Sequence, residues 1–174
     1  MPIIRAFAAI AASLLLTNFA AAQGAKPTDP QIAHIAYTAG VIDINAAKQA
    51  LQKSKNKDVI AFAKNMVRDH GAVNQKALAL LKKLKVTPQD NDTSRSLMQK
   101  AEEERSTLSK LRGAEFDKAY AENEVAYHKT VNGALESTLI PDATNPELKD
   151  LLSTGLKIFQ GHQEHAEHLV EALK

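Results

Sequence analysis

Four residues carry the chemistry this chain could do: Asp43, His70, His128 and His162. A carboxylate and neutral imidazoles are good ligands for zinc, iron, copper or manganese. Each of the four sits in a different long helical segment. At 100° per residue, each falls on or beside an apolar stripe rather than on a polar face. Asp43 is central to the stripe Ile32, Ala36, Ala39, Ala46 and Ala50. His70 is central to Val59, Ala63, Met66, Val73, Ala77, Leu81 and Leu84. Glu124 lies inside the stripe of Tyr120, Val131, Leu135 and Leu139, with His128 toward one edge. His162 is central to Leu151, Gly155, Ile158, Ala166, Leu169 and Leu173, with His165 at the edge. His34 and His168 fall on other faces and read as solvated.

The axial levels agree as well. The four residues are near mid-helix, and within each hairpin they differ by a few residues in distance from the turn. At about 1.5 Å per residue the offset is roughly 6 Å, within reach of converging side chains. One polar residue from each of four helices at mid-bundle is how bundle metal sites are built. The arrangement predicts one divalent transition metal ion held by Asp43, His70, His128 and His162, with Glu124 and His165 as secondary candidates. A second reading stands beside it, in which Asp43 and His70 form a buried ion pair and Glu124 and His128, four apart, form a local pair in a ligand-free polar network. An unpartnered carboxylate in an apolar core is costly, so on either reading Asp43 needs a cation or a donor.

Four long helices must position these residues. Thr28-Asp29-Pro30 is a helix start, and the first segment runs without proline to about Ser54. Lys55-Asn56-Lys57 breaks it, and a second segment runs from Asp58 to about Lys85. A loop through Pro88 leads to a shorter, charged helix from Thr93 to about Leu111, ended by Gly113. A third long segment spans Ala114 to Ile140 and stops at Pro141. Thr144-Asn145-Pro146-Glu147 opens the last helix, which runs to the C-terminus. No run alternates apolar and polar residues over a strand's length. The pattern predicts an all-α four-helix bundle with an extra shorter helix in the 2–3 connection. Gly40, Gly71, Gly133 and Gly161 lie inside helices, where close helix packing is the first explanation and room beside the polar cluster the second.

Composition limits the rest. The chain has 174 residues, no Cys, no Trp, six His and a formal net charge of +2. Absent cysteine excludes disulfides, thiol nucleophiles and Cys-ligated metals. A charge so near zero argues against a nucleic-acid partner, which needs a clustered basic excess. Residues 1–22 read as a secretory signal: Arg5 in the n-region, an apolar run around Leu14-Leu15-Leu16, and Ala20-Ala21-Ala22 before Gln23 as a small-x-small cleavage site. The run is short for a membrane anchor, which wants about 20 residues. Cleavage gives residues 23–28 as a linker and 29–174 as one helical-bundle domain, with no transmembrane span in the mature chain and the periplasm as its compartment.

The segment Phe62-Ala63-Lys64-Asn65-Met66-Val67-Arg68-Asp69-His70 resembles the bacterial domain-of-unknown-function family 4142. So do Phe116-Asp117 with Tyr120, then His128, and His162 with His165-Ala166. The resemblance implies an exported protein with a ferritin-like four-helix fold, and polar positions at Asp43, His70, His128 and His162. It implies no activity. Ferritin-like di-iron enzymes carry Glu-x-x-His pairs, and this sequence has none. Nor does it hold a Gly-x-Ser-x-Gly nucleophile motif. Three functions are therefore ranked: a metal-binding bundle, then a structural or interaction protein, then a metal-dependent oxidase or hydrolase. The run Glu102-Glu103-Glu104-Arg105 reads as a solvated face.

Overall fold

The computed structural model describes residues 26–174. The signal-peptide reading of residues 1–22, and residues 23–25 of the linker, lie outside that range. The helices are α1 (Asp29–Lys53), α2 (Lys57–Leu84), α3 (Asp92–Lys110), α4 (Gly113–Ala134), the single turn α5 (Ile140–Asp142) and α6 (Pro146–Ala172). A π-helical turn, Leu135–Leu139, joins α4 to α5. Among the described residues there is no strand, and no helix is long and apolar enough to cross a membrane.

Local chemistry sets the boundaries. The Thr28 amide donates to the Gln31 side chain at 2.9 Å, with Pro30 in the first turn of α1. Asn56 starts α2 by accepting from the amides of Asp58 and Val59 at 2.9 and 3.3 Å. Asn91 and Asn145 do the same for α3 and α6, accepting from Ser94 and Leu148. Lys85 ends α2 in the left-handed region, φ 55°, and the Val86 amide closes onto the Leu81 carbonyl at 3.0 Å.

Two expectations at the ends shift. Gly113, φ 55°, opens α4 instead of closing α3, which ends at Lys110. Helical structure also passes Pro141 and continues to Asp142. Proline has no N–H to give the preceding turn, and the widened turn at 135–139 lets the chain carry it without a sharp break.

α1 packs on α2, α2 on α6, α6 on α4 and α4 on α1, which closes the bundle. α3 lies mainly against α1 and secondarily against α4, over the groove between them. It buries only Ser94 and Leu108. The apolar core is split in two. One cluster, around Phe62, Met66, Phe116, Tyr120 and Leu169, fills one end; the other, around Ile32, Leu81, Leu139, Leu152 and Phe159, fills the opposite end. The polar residues form the layer between them.

The sequence stripes were partly out of phase. In α6, Leu152 and Phe159 are buried, while Leu151 and Ile158 are half-exposed. Ala36, Val73, Ala77, Leu84 and Val131 are likewise only half-buried. Of Gly40, Gly71, Gly133 and Gly161, only Gly40 serves a close approach: a Cβ there would lie 2.9 Å from Asn74 Cγ. At Gly71, Gly133 and Gly161 a Cβ would meet nothing within 4 Å, so the packing explanation fails for those three.

Candidate metal centre

The mid-bundle layer brings together Asp43 from α1, His70 from α2, Glu124 and His128 from α4, and His162 from α6. All five are at most 7% exposed. His128 is a core residue at 1%, not an edge residue as its stripe suggested. The three imidazoles form a near-equilateral set, with ring centroids 5.6 Å apart for His70–His128, 5.2 Å for His70–His162 and 5.5 Å for His128–His162. Each offers a nitrogen within 4.8 Å of the other two. Asp43, Glu124 and His128 make a second set of the same kind. Asp43 Oδ2 lies 3.4 Å from His70 Nε2 and 3.5 Å from His128 Nε2.

The hydrogen bonds fix which nitrogens are free. His128 Nδ1 is 2.9 Å from the Glu124 carbonyl. A carbonyl can only accept, so Nδ1 carries the hydrogen and Nε2 holds the lone pair. His162 Nε2 is 3.0 Å from Asp69 Oδ2. That carboxylate is in turn held by Arg68, whose Nε and Nη2 donate to it at 2.7 and 3.0 Å. His162 therefore donates from Nε2 and leaves Nδ1 buried without a partner. A carboxylate behind a histidine, aligning its other nitrogen, is the usual outer support of a metal-bound imidazole. His70 has no hydrogen bond at either nitrogen, and Phe159 stacks on its ring at 4.3 Å and 3°.

Burial sets the charges. It drives His70 well below the usual imidazole range, helped by His128 and His162, and drives His128 down to about 4. His162 is also lowered by burial, with Asp69 opposing. All three rings are thus neutral near pH 7, the form that coordinates metals. Burial lifts Asp43 to about 8 and Glu124 well above the usual carboxyl range, the latter also through Asp43. The Arg68 hydrogen bond holds Asp69 low, so Asp69 stays ionised.

The layer is rich in polar atoms that lack partners: both His70 nitrogens, His128 Nε2 and His162 Nδ1, beside an Asp43–Glu124–Tyr120 group that can bond internally only while a carboxyl keeps its proton. Buried polar groups are normally hydrogen-bonded, and each orphan costs about 1–3 kcal/mol. A cation among these lone pairs would satisfy most of them together. The residues present therefore fit a transition metal ion. The histidines do not hydrogen-bond one another.

The remaining sequence candidates fall outside the layer. His165 is exposed, its ring edge-on to Phe62 at 5.1 Å, and His168 is exposed. His34 is half-buried rather than solvated, with Nδ1 in a buried position. Sequence reasoning missed Asp69 and Phe159. Asp69 is 100° around α2 from His70 and outside its stripe, so only its partner on α6 reveals it. Phe159 follows from the corrected phase of α6, three residues before His162.

The chain belongs to the family described as "Domain of unknown function (DUF4142)", whose family model matches residues 15–169. Among solved structures it is similar to the one described as "CopM in the Cu(II)-bound form", with a TM-score of 0.65 and 13% identity. That similarity covers 86% of this chain and 99% of the other, and at this identity it is a likeness of fold. No curated protein matches the chain.

Proposed function

We propose that this DUF4142 protein is exported and binds one transition metal ion in the middle of its bundle, through His70, His128 and His162, with Asp43 beside them as the counter-charge. One observation carries the reading: three buried imidazoles from three helices each offer a nitrogen within 4.8 Å of the other two, each has a buried nitrogen without a partner, and in His128 and His162 the other nitrogen is already hydrogen-bonded. The ion would supply the positive charge that this layer of lone pairs lacks. Imidazole donors suit zinc, copper, iron and nickel. The Cu(II)-bound state of the fold relative puts copper with zinc at the head of the ions to try. Asp69 orients His162, and Phe159 fixes the plane of His70. The role is one of holding or handling a metal ion.

The compartment reading rests on the signal pattern of residues 1–22. Protein recovered from the periplasm should begin at Gln23. Elemental analysis and calorimetry on that mature protein test the metal reading. One ion per chain, lost in the doubly substituted His70→Ala, His162→Ala protein, is the expected result. Absence of a tightly held metal, or unchanged binding in that variant, overturns it.

A further inference from the structure

The two triads of the polar layer share a residue, and the hydrogen bonding of that residue has a consequence. His128 belongs both to the set with His70 and His162 and to the set with Asp43 and Glu124. Its Nδ1 donates to the Glu124 carbonyl, so Nε2 is its single available lone pair. One lone pair binds one ion. The two triads are therefore alternatives and cannot both be filled through His128.

They differ in chemistry and in surroundings. The first is all imidazole and lies inside the α2–α4–α6 contact. The second is two carboxyl groups and one imidazole, and it sits against a cavity of about 290 Å³ between α3 and the α1–α4 groove. Asp43 and Glu124 line that cavity; none of the three histidines does, and His128 reaches the two acids from behind them. Its far wall is α3, through Leu97, Lys100, Ala101 and Arg105. Asp43 and Glu124 are each 1% exposed and converge with His128 to within 4.8 Å, so the acids are aimed at one another and not at solvent.

The geometry points to two mutually exclusive seats for a divalent cation: an inner imidazole seat of His70, His128 and His162, and an outer, oxygen-rich seat of Asp43, Glu124 and His128 beneath α3. The inner seat is that of the proposed function, on which this inference rests. The outer seat is a separate site with a different preference. Carboxylate donors favour harder ions of the Mn(II) class, whereas imidazole favours Zn(II) and Cu(II). The shared nitrogen makes the two ions compete even though most of their ligands differ.

The test uses the full mature protein with Mn(II) and Zn(II) as probes. Mn(II) binding is read by electron paramagnetic resonance, and total metal by native mass spectrometry. Wild type should take up either ion to one per chain, and Zn(II) should expel Mn(II) one for one with no doubly loaded species. Glu124→Gln should lower Mn(II) affinity at least tenfold more than Zn(II) affinity. His162→Ala should do the reverse. A species carrying both ions on one chain overturns the shared-seat inference, as does Zn(II) uptake with no Mn(II) binding; in both cases the metal-binding reading itself survives. Failure of both ions to bind wild type removes both. The wild-type competition needs no variant, so a folding defect in either substitution does not blunt it.

Discussion

Asp69→Ala is the perturbation that separates a built metal centre from an incidental cluster of histidines. Asp69 touches no candidate ion. It sits 3.0 Å from His162 Nε2, on the side of the ring away from the free Nδ1. Removing it leaves all three imidazoles in place but frees His162 to change tautomer and to rotate. Loss of such an outer carboxylate typically lowers metal affinity about 10–100-fold. That corresponds to about 1.4–2.7 kcal/mol. The fold should tolerate the change, because Asp69 is about a quarter exposed and its Arg68 partner two-thirds exposed, and pairs so exposed are worth about 0–1 kcal/mol. Asp69→Asn keeps an oxygen acceptor and should fall between wild type and Asp69→Ala. Arg68→Ala leaves the His162 contact intact and should change affinity less than threefold. The assay is competition for Zn(II) against a chromophoric chelator, with thermal unfolding of the chelated proteins as the control. Unchanged affinity in Asp69→Ala, or an equal loss in Arg68→Ala, would refute the orienting role.

Other outcomes follow from the same layer. Metal-free protein should be most stable near pH 6.5. Below that, the unfolded histidines take up protons that the folded ones refuse, down to about pH 4 for His128, at up to about 1.4 kcal/mol per pH unit for each group. From about pH 4 up to about pH 8 the unfolded chain has released the Asp43 proton that the fold retains, and Glu124 acts in the same direction, so the acids offset part of the histidine slope below pH 6.5 and make stability fall above it. Denaturant titrations with chelator at pH 5, 6.5 and 8 check this, and a steady rise from 5 to 8 would contradict it. Gly40→Ala should destabilise by about 1–3 kcal/mol, because Asn74 is held opposite by its bond to the Tyr37 carbonyl at 3.4 Å. Gly161→Ala, beside His162 but in open space, should instead stabilise by up to about 1 kcal/mol, raising the unfolding midpoint by roughly 2–4 °C.

Much of this architecture is legible in the sequence because helix ends are written in local chemistry. Asn56, Asn145-Pro146 and the break before α2 act within one turn of chain and need no tertiary knowledge. The convergence of Asp43, His70, His128 and His162 is legible too, since mid-helix residues in a four-helix bundle share a level. Rotation about each helix is the harder part. A fixed 100° per residue accumulates error over 27 residues of α6, and it placed Leu151 and Ile158 where Leu152 and Phe159 belong. The π turn at 135–139 re-phases the end of the third long segment in a way that no periodic template carries. His128 is a core residue because His70, His162 and Asp43 close over it from three other helices, which the stripe of α4 alone does not show. Asp69 was beyond reach for another reason: its meaning lies in a residue 93 positions away.

The central claim is that the mid-bundle imidazoles hold a metal ion. Anomalous diffraction at the zinc edge, from crystals of the mature protein grown with Zn(II), tests it most directly. The account predicts one strong peak within coordination distance, about 2.0–2.1 Å, of nitrogens from His70, His128 and His162. A map whose only peaks lie on the exposed His165 and His168, with the mid-bundle layer featureless, would contradict it.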